Sequence, residues 1–171
     1  MKKAVLFVLL LAAAVGIAVP AQAWDPAKQK NFGQDHIKMQ WYLLDYGKEG
    51  DVPFAVTRKY YTNNSVKQQT IDLLMSKYSI SPEVAGALYF TEYRYEYTPD
   101  GKKFAVTYLK HYDMLGNEIY GTVYDGSSEA TQKAFLAVDP KSVPGKAVGY
   151  ALGKANAAAK APARKAPVKK K

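Results

Sequence analysis

Strict alternation of aromatic and polar side chains is the strongest pattern in the chain. Aromatic residues or Thr occupy every second position from 89 to 97, and a second run with the same period spans 104–112. A period of two places alternate side chains on opposite faces of a β-strand. Asp100-Gly101, a favoured hairpin centre, lies between the runs. The pattern predicts an antiparallel hairpin with one aromatic face and one mainly polar face.

The turn also predicts the register of this hairpin. With Asp100-Gly101 at the centre, the expected pairs are Tyr97 with Phe104, Tyr95 with Val106, Tyr93 with Tyr108, and Tyr89 with Tyr112. A slip by one residue would bury charged side chains, which opposes any other register. Glu92, Arg94 and Glu96 then share the opposite face, where we expect a charge ladder on the solvent side.

A helical period replaces this alternation on the N-terminal side. Apolar residues at i, i+3, i+4 and i+7 predict a helix over 66–78, and these are Ile71, Leu74, Met75 and Tyr78. Ser65 with Gln68 fits a capping box at its start. Ser81-Pro82 predicts a second, short helix, and residues 147–152 predict a last one.

Further strands complete the predicted fold class. Residues 39–44, 54–61 and 118–124 have strand composition. Gly116-Asn117 marks a turn before the last of these, and loops of two or three residues remain alternatives that put opposite faces inward. The chain is therefore predicted to be α+β, an antiparallel β-sheet formed as a meander of hairpins and packed with a few helices.

Residues 1–23 have the features of a signal peptide. Lys2 and Lys3 precede an apolar run over 4–19, and Ala21-Gln22-Ala23 fits the small-x-small rule of a cleavage site. We expect cleavage after residue 23, so that the mature chain starts at Trp24 and is exported. No later stretch is long and apolar enough to span a bilayer, so no transmembrane span is expected in the mature chain.

Charge is concentrated at the far end of the chain. The net charge of the 171 residues is +9, and seven basic residues without any acid lie in the tail, residues 154–171: Lys154, Lys160, Arg164, Lys165, Lys169, Lys170 and Lys171. The 15 acidic residues balance the 15 basic residues of 24–153. The Ala/Lys/Pro-rich tail has almost no large apolar side chain, which predicts disorder. We expect these residues to bind an anionic envelope polymer or lipid headgroups; a solvated tail without a specific partner is the alternative. Export argues against specific nucleic-acid binding.

Candidate chemistry is sparse. The absence of cysteine excludes disulfides, zinc fingers and Cys nucleophiles. His111 and Asp113 lie two positions apart, so a His–Asp pair is conceivable, although a strand histidine beside a turn aspartate is the favoured interpretation. Arg94 separates Glu92 from Glu96, which disfavours a pair of catalytic carboxylates. We therefore predict no catalytic residue, no metal and no cofactor, and a protein that is not an enzyme.

Fourteen tyrosines are a further departure from ordinary composition. The favoured interpretation is that the aromatic hairpin face packs on the helix at 66–78 and forms the core. The alternative is a binding surface, since Tyr anchors interfaces at low entropic cost. Tyrosines on the opposite face are the better candidates for such a surface, for example Tyr120 or Tyr124 if the longer of the two alternative loops at Gly116-Asn117 is wrong.

The order of these segments resembles the surface-adhesin protein E family of diderm bacteria. The resemblance rests on Trp-Tyr-Leu-Leu-Asp at 41–45, the strand at 87–97, the segment at 102–119 with its Asp-x-x-Gly-Asn turn, and the Pro-Gly helix at 143–152. It covers 39–153. Many members have a cysteine pair joining the sheet to the last helix, which this chain lacks. The resemblance implies a small antiparallel sheet with packed helices, outer-surface display, and binding of a host protein as in the best-known member.

Together these features divide the chain into a signal peptide (1–23), a lead-in (24–38), an α+β domain (39–153) and the cationic tail (154–171). The expected function is a non-enzymatic, adhesin-like binding protein in the periplasm or on the outer surface of a diderm bacterium. Its expected partners are an anionic polymer or lipid headgroups for the tail, and a host or matrix protein. The alternative is a small periplasmic enzyme using His111 and Asp113, or a ligand carrier using the tyrosine-rich sheet face.

Overall fold

Seven antiparallel strands form one sheet in the computed structural model, which describes residues 25–154. The strands are β1 (Lys30–Gln34), β2 (Gln40–Glu49), β3 (Val52–Tyr60), β4 (Phe90–Tyr97), β5 (Lys103–Tyr112), β6 (Glu118–Val123) and β7 (Leu136–Ala137). The first six lie side by side in chain order, and β7 pairs with the start of β5. The predicted α+β class with a meander of hairpins is confirmed.

Within residues 25–154, three α-helices accompany the sheet: α1 (Asn64–Tyr78), α2 (Pro82–Gly86) and α3 (Val143–Ala151). The side chain of Asn63 caps α1 by accepting hydrogen bonds from the backbone N–H groups of Ser65 and Val66. The predicted cap at Ser65 is therefore wrong, because the helix starts earlier. The side chain of Ser81 caps α2 as predicted.

All three helices lie on one side of the sheet, here called the helical face. Ala147 and Ala151 of α3 pack on the rings of Tyr95 and Tyr97, and all four residues are buried. At the other end of this face, α1 and α2 enclose a cluster that Tyr120 joins by stacking on Tyr78. Tyr95 and Tyr97 are thus core residues as predicted, but their helical partner is α3 and not α1.

A β-bulge changes the predicted register of the central hairpin. Tyr97 faces Phe104 and Tyr95 faces Val106, as expected from the turn. Thr107 is then an extra residue on β5, so that Arg94 faces Tyr108, Tyr93 faces Leu109, and Phe90 faces Tyr112. A shift of one residue sends each following side chain to the other face. The predicted pairs of Tyr93 with Tyr108 and Tyr89 with Tyr112 are wrong, and Tyr108 and Tyr112 lie opposite the helical face.

The turns at the sheet ends also differ from the simplest expectation. The lead-in at 24–38 contains β1, which pairs with β2, so the sheet starts before residue 39. β2 continues through a bulge to Glu49, so this strand is longer than the segment predicted at 39–44. Between β5 and β6, the backbone N–H of Asp113 donates to the carbonyl of Asn117 and closes a three-residue loop. Gly116 supplies the left-handed conformation that this loop needs, at φ +85.

Among residues 25–154, no helix is long and apolar enough to cross a membrane. The predicted signal peptide and almost all of the predicted cationic tail lie outside the described residues. Lys154 is described and is exposed.

Candidate functional site

The face of the sheet opposite the three helices, here called the outer face, carries aromatic, aliphatic and charged side chains together. Strand pairing places on it Tyr42, Leu44, Phe54, Val56, Arg58, Tyr60, Phe90, Glu92, Arg94, Glu96, Tyr108, Lys110 and Tyr112. Its apolar cluster consists of strand residues only, among the residues that the structure describes. The sequence pattern did not predict the aromatic content of this face, because it placed Tyr108 and Tyr112 on the other side.

Apolar residues of the outer face are buried, although their cluster consists of strand residues only. Val56 is 1% exposed and Phe90 is 4% exposed. The guanidinium of Arg58 lies 4.1 Å from the centre of the Phe90 ring, and Tyr112 stacks on the same ring at 4.9 Å. Arg94 covers Phe54 in the same way at 4.4 Å. The two arginines and Tyr112 therefore exclude water from the rings that they cover. Amphipathic side chains do this when their stems lie on apolar surface.

A buried ion pair lies within this layer. Arg58 donates to Oε1 of Glu92 from Nε at 3.1 Å and from Nη2 at 2.6 Å, and Nη1 donates to the hydroxyl of Tyr60 at 3.1 Å. Glu92 is only 2% exposed. Desolvation opposes the charge of Arg58, but the hydrogen bonds to Tyr60 and Glu92 outweigh it and raise the pKa of the guanidinium. The charge of Arg58 is therefore matched locally.

The predicted charge ladder is present but only partly solvated. Arg94 pairs with Glu49 at 2.7 Å, and Glu96 pairs at 2.7 Å with Lys133, which lies in the segment before β7. Glu92 departs from the prediction because Arg58, from the neighbouring strand, covers it. Arg94 also lies between Glu92 and Glu96, so these carboxylates do not form an open pair.

One end of the outer face forms an open groove of about 500 Å³. Its lining residues are Gln29, Gln40, Tyr42, Leu44, Arg58, Tyr60, Tyr61, Thr62 and Tyr89. The ring of Tyr60 stands nearly perpendicular to those of Tyr42 and Tyr89, with centroids 5.7 and 5.6 Å away. This volume falls within the range of small-molecule sites, which combine apolar walls with a few placed polar groups. The groove is the candidate functional site.

A chain of buried and half-buried polar groups crosses the helical face. The hydroxyl of Thr91 lies 2.8 Å from that of Tyr61 and 2.9 Å from Nδ1 of His111. The ammonium of Lys59 lies over the rings of Tyr61 and Tyr93, at 4.7 and 5.5 Å from their centroids. Sequence reasoning missed this group because its members come from three strands, and their proximity depends on how β3 pairs with β4.

The conceivable pair of His111 and Asp113 is absent. His111 bonds Thr91 and is buried, whereas Asp113 lies in the loop after β5. Oδ1 of Asp113 accepts from the backbone N–H groups of Leu115 and Asn117, and Oδ2 accepts from the side chain of Asn117. The carboxylate therefore shapes the turn, as expected for the favoured interpretation, but the histidine is more buried than that interpretation assumed.

Protonation of His111 is expected to make stability depend on pH. Burial lowers the pKa of His111 to about 4, and the charge of Lys59 acts in the same direction. An unfolded histidine has a pKa of about 6.5, so between about pH 6.5 and 4 the unfolded chain binds a proton that the folded chain does not. The neutral His111 side chain therefore makes its full contribution to the free energy of unfolding above about pH 6.5. This contribution, up to about 3 kcal/mol, is lost as the pH falls to 4.

Urea unfolding at several pH values measures this dependence. Carboxylates titrate in part of the same range, so the matched control is His111→Gln, which removes only the imidazole. We expect the wild type to lose more unfolding free energy than the variant between pH 6.5 and 4. Equal slopes for the two proteins would contradict the prediction.

The other predicted candidates are dispersed. Of the seven tail cations, Lys154 lies at the end of the described residues, and the other six lie outside them. Tyr120 packs on Tyr78 in the core, so it is a poor surface candidate. Within residues 25–154, no three His, Asp or Glu side chains are grouped to hold a metal ion.

No protein-family model, curated protein or solved structure matches this chain. The resemblance to the surface-adhesin protein E family therefore stays a prediction.

Proposed function

We propose that this chain is an exported, non-enzymatic binding protein of the bacterial cell envelope. In this proposal the groove on the outer face binds the ligand, and the cationic tail holds the protein on an anionic envelope polymer or on lipid headgroups. The periplasm or outer surface of a diderm bacterium is the proposed location. If the protein displays the groove on the outer surface of the cell, its proposed role is adhesin-like.

The observation that carries the proposal is the groove itself. Four tyrosines and the held guanidinium of Arg58 line one cavity of about 500 Å³, and the rings of Tyr42, Tyr60 and Tyr89 form a series there. The rings contact one another, and Arg58 is held by Glu92 and Tyr60. Ordering these side chains before a ligand arrives lowers the entropic cost of binding. A ligand carrier would use the same groove.

The positions of the titratable groups favour binding over catalysis. His111 is buried beside Thr91, and Asp113 bonds its own loop. A general base must reach the proton that it removes, and neither side chain lines the groove. The enzyme alternative therefore has no specific observation in its favour.

Binding to purified envelope material tests both parts of the proposal. Outer-membrane vesicles and peptidoglycan sacculi are sedimented with the full chain, and the mass of the chain recovered from cells shows whether it starts at Trp24. Deletion of 154–171 is expected to weaken binding at low salt by at least about tenfold, since each tail cation gains roughly 1 kcal/mol near an anionic surface. At about 1 M salt, where the Debye length is about 3 Å, the contribution of the tail is screened.

The salt-resistant binding reports on the groove. Tyr42→Ala is expected to weaken it by at least about tenfold, whereas Tyr124→Ala, outside the groove lining, should leave it unchanged. Binding that is fully salt-sensitive and indifferent to Tyr42→Ala would overturn the role of the groove. Binding at low salt that is as strong without residues 154–171 as with them would overturn the role of the tail.

A further inference from the structure

We infer that the groove binds an uncharged oligosaccharide segment. The inference rests on the proposed function, in which the groove is the ligand site, and adds the chemical class of the ligand. Three features of the groove support it: its balanced charge, the kinds of side chain that line it, and the two-sided pairing of the strand residues at its base.

The charge of the groove is balanced before any ligand binds. Arg58 is the one charged residue among those that line it, and two of its N–H groups bond Glu92 beneath. An acidic ligand would have to compete with Glu92 for the guanidinium and break the bonds that Arg58 makes to this buried carboxylate, which is costly. A cationic ligand would be repelled by the positive charge of the guanidinium. A neutral ligand meets neither penalty.

The polar groups that remain suit hydroxyl groups. Gln29, Gln40 and Thr62 line the groove with uncharged donors and acceptors. The amide of Gln40 donates to Oδ1 of Asn31 at 2.7 Å, which orients it. Arg58 uses three of its five N–H groups on Glu92 and Tyr60, which leaves two for a ligand as far as the described residues show. Sugar hydroxyls both donate and accept, so they can satisfy amides and guanidinium N–H groups alike.

The ring walls suit the C–H surface of a sugar. Tyr42 and Tyr89 flank Tyr60, and Tyr89 is 44% exposed. A pyranose ring has a polar rim and a patch of C–H groups, and that patch packs on the face of an aromatic ring. Tyrosine also has a hydroxyl that can bond the polar rim. The rings therefore suit the C–H patches of linked sugar units, and the amides suit their hydroxyl groups.

The position of the groove disfavours an extended peptide. Among the strand residues that line the groove, Gln40 and Tyr42 are paired with both β1 and β3. Arg58 and Tyr60 are paired with both β2 and β4. These four residues therefore offer no free backbone edge for strand addition, which is the usual source of affinity for extended peptides. Nucleic acids are disfavoured because they require an electropositive channel.

Titration of the full chain with defined sugars, followed by nuclear magnetic resonance, tests the inference. The probes are chitotetraose, cellotetraose and maltotetraose, each added to about 10 mM, which detects a Kd in the millimolar range. We expect at least one of them to shift the Nε–H signal of Arg58 and the backbone signals of Gln40 and Tyr60 in a saturable manner. Tyr42→Ala and the more exposed Tyr89→Ala should each weaken this binding by about tenfold, and Tyr124→Ala should not change it.

The possible failures are distinguishable. If none of the three sugars shifts the groove signals while salt-resistant envelope binding still depends on Tyr42, the ligand class is wrong and the proposed function stands. Saturable shifts of the same signals by heparin, a polyanion, without shifts by any neutral sugar would also overturn the inference. If neither sugars nor envelope material respond to the groove variants, the inference and the role of the groove both fail.

Discussion

Phe90→Ala is expected to lower the free energy of unfolding by about 3–5 kcal/mol, the usual cost of removing a buried ring. Phe90 belongs to the outer face, where an ordinary solvent-facing residue would cost less than about 1 kcal/mol. It is nevertheless 4% exposed, between the guanidinium of Arg58 and the ring of Tyr112. Truncation would open a cavity that the surrounding strand side chains cannot fill without moving.

Urea denaturation followed by circular dichroism measures this loss. The matched control is Tyr89→Ala, which removes the neighbouring ring in sequence, one that is 44% exposed. We expect the control to lose about 1 kcal/mol or less. A comparable, small loss for both variants would show that the outer face behaves as ordinary solvated surface and not as a second core layer.

Glu92→Leu is expected to destabilise the fold by about 3 kcal/mol or more. The substitution leaves Arg58 largely buried without the carboxylate that neutralises it, and breaking one side of a buried ion pair costs about 3–5 kcal/mol. The two bonds from Arg58 to Oε1 are lost together. We expect a loss of stability near the lower end of this range, because the Arg58 side chain is 17% exposed and can reach some water.

Two further variants isolate the charge effect. Arg58→Met combined with Glu92→Leu removes both charges and should recover most of the lost stability, because apolar pairs replace buried ion pairs at little cost. Glu49→Gln removes the carboxylate partner of Arg94, but Glu49 has 64% side-chain exposure, so we expect a loss of less than about 1 kcal/mol. A double variant no more stable than Glu92→Leu alone would show that packing around Glu92, and not its charge, determines the loss.

These two results bear on the candidate site as well as on stability. The ring of Phe90 lies against the guanidinium of Arg58, and two hydrogen bonds to Glu92 hold this group, which lines the groove. A rigid support of this kind keeps binding groups in place without a ligand. The outer face is therefore both a second apolar layer and the base of the groove.

Local sequence determined the elements whose information lies within one segment. The apolar period at 66–78 predicted α1, Ser81-Pro82 predicted the start of α2, and the turn at Asp100-Gly101 predicted the pairs nearest to it. These features depend on contacts between residues a few positions apart. Side-chain periodicity and turn chemistry are sufficient to specify such contacts.

Only the tertiary structure decided the candidate site. The bulge at Thr107 moved Tyr108 and Tyr112 to the outer face. The pairing of β3 with β4 brought Arg58 next to Glu92, although α1 and α2 separate these two strands in the sequence. The groove likewise needs β2 beside β3, and α3 rather than α1 covers Tyr95. A strand pattern shows which residues share a face within its own segment, but neighbours across strands depend on register. Register between distant segments is settled by the packing of the whole sheet, because a shift of one residue reverses every side chain beyond it.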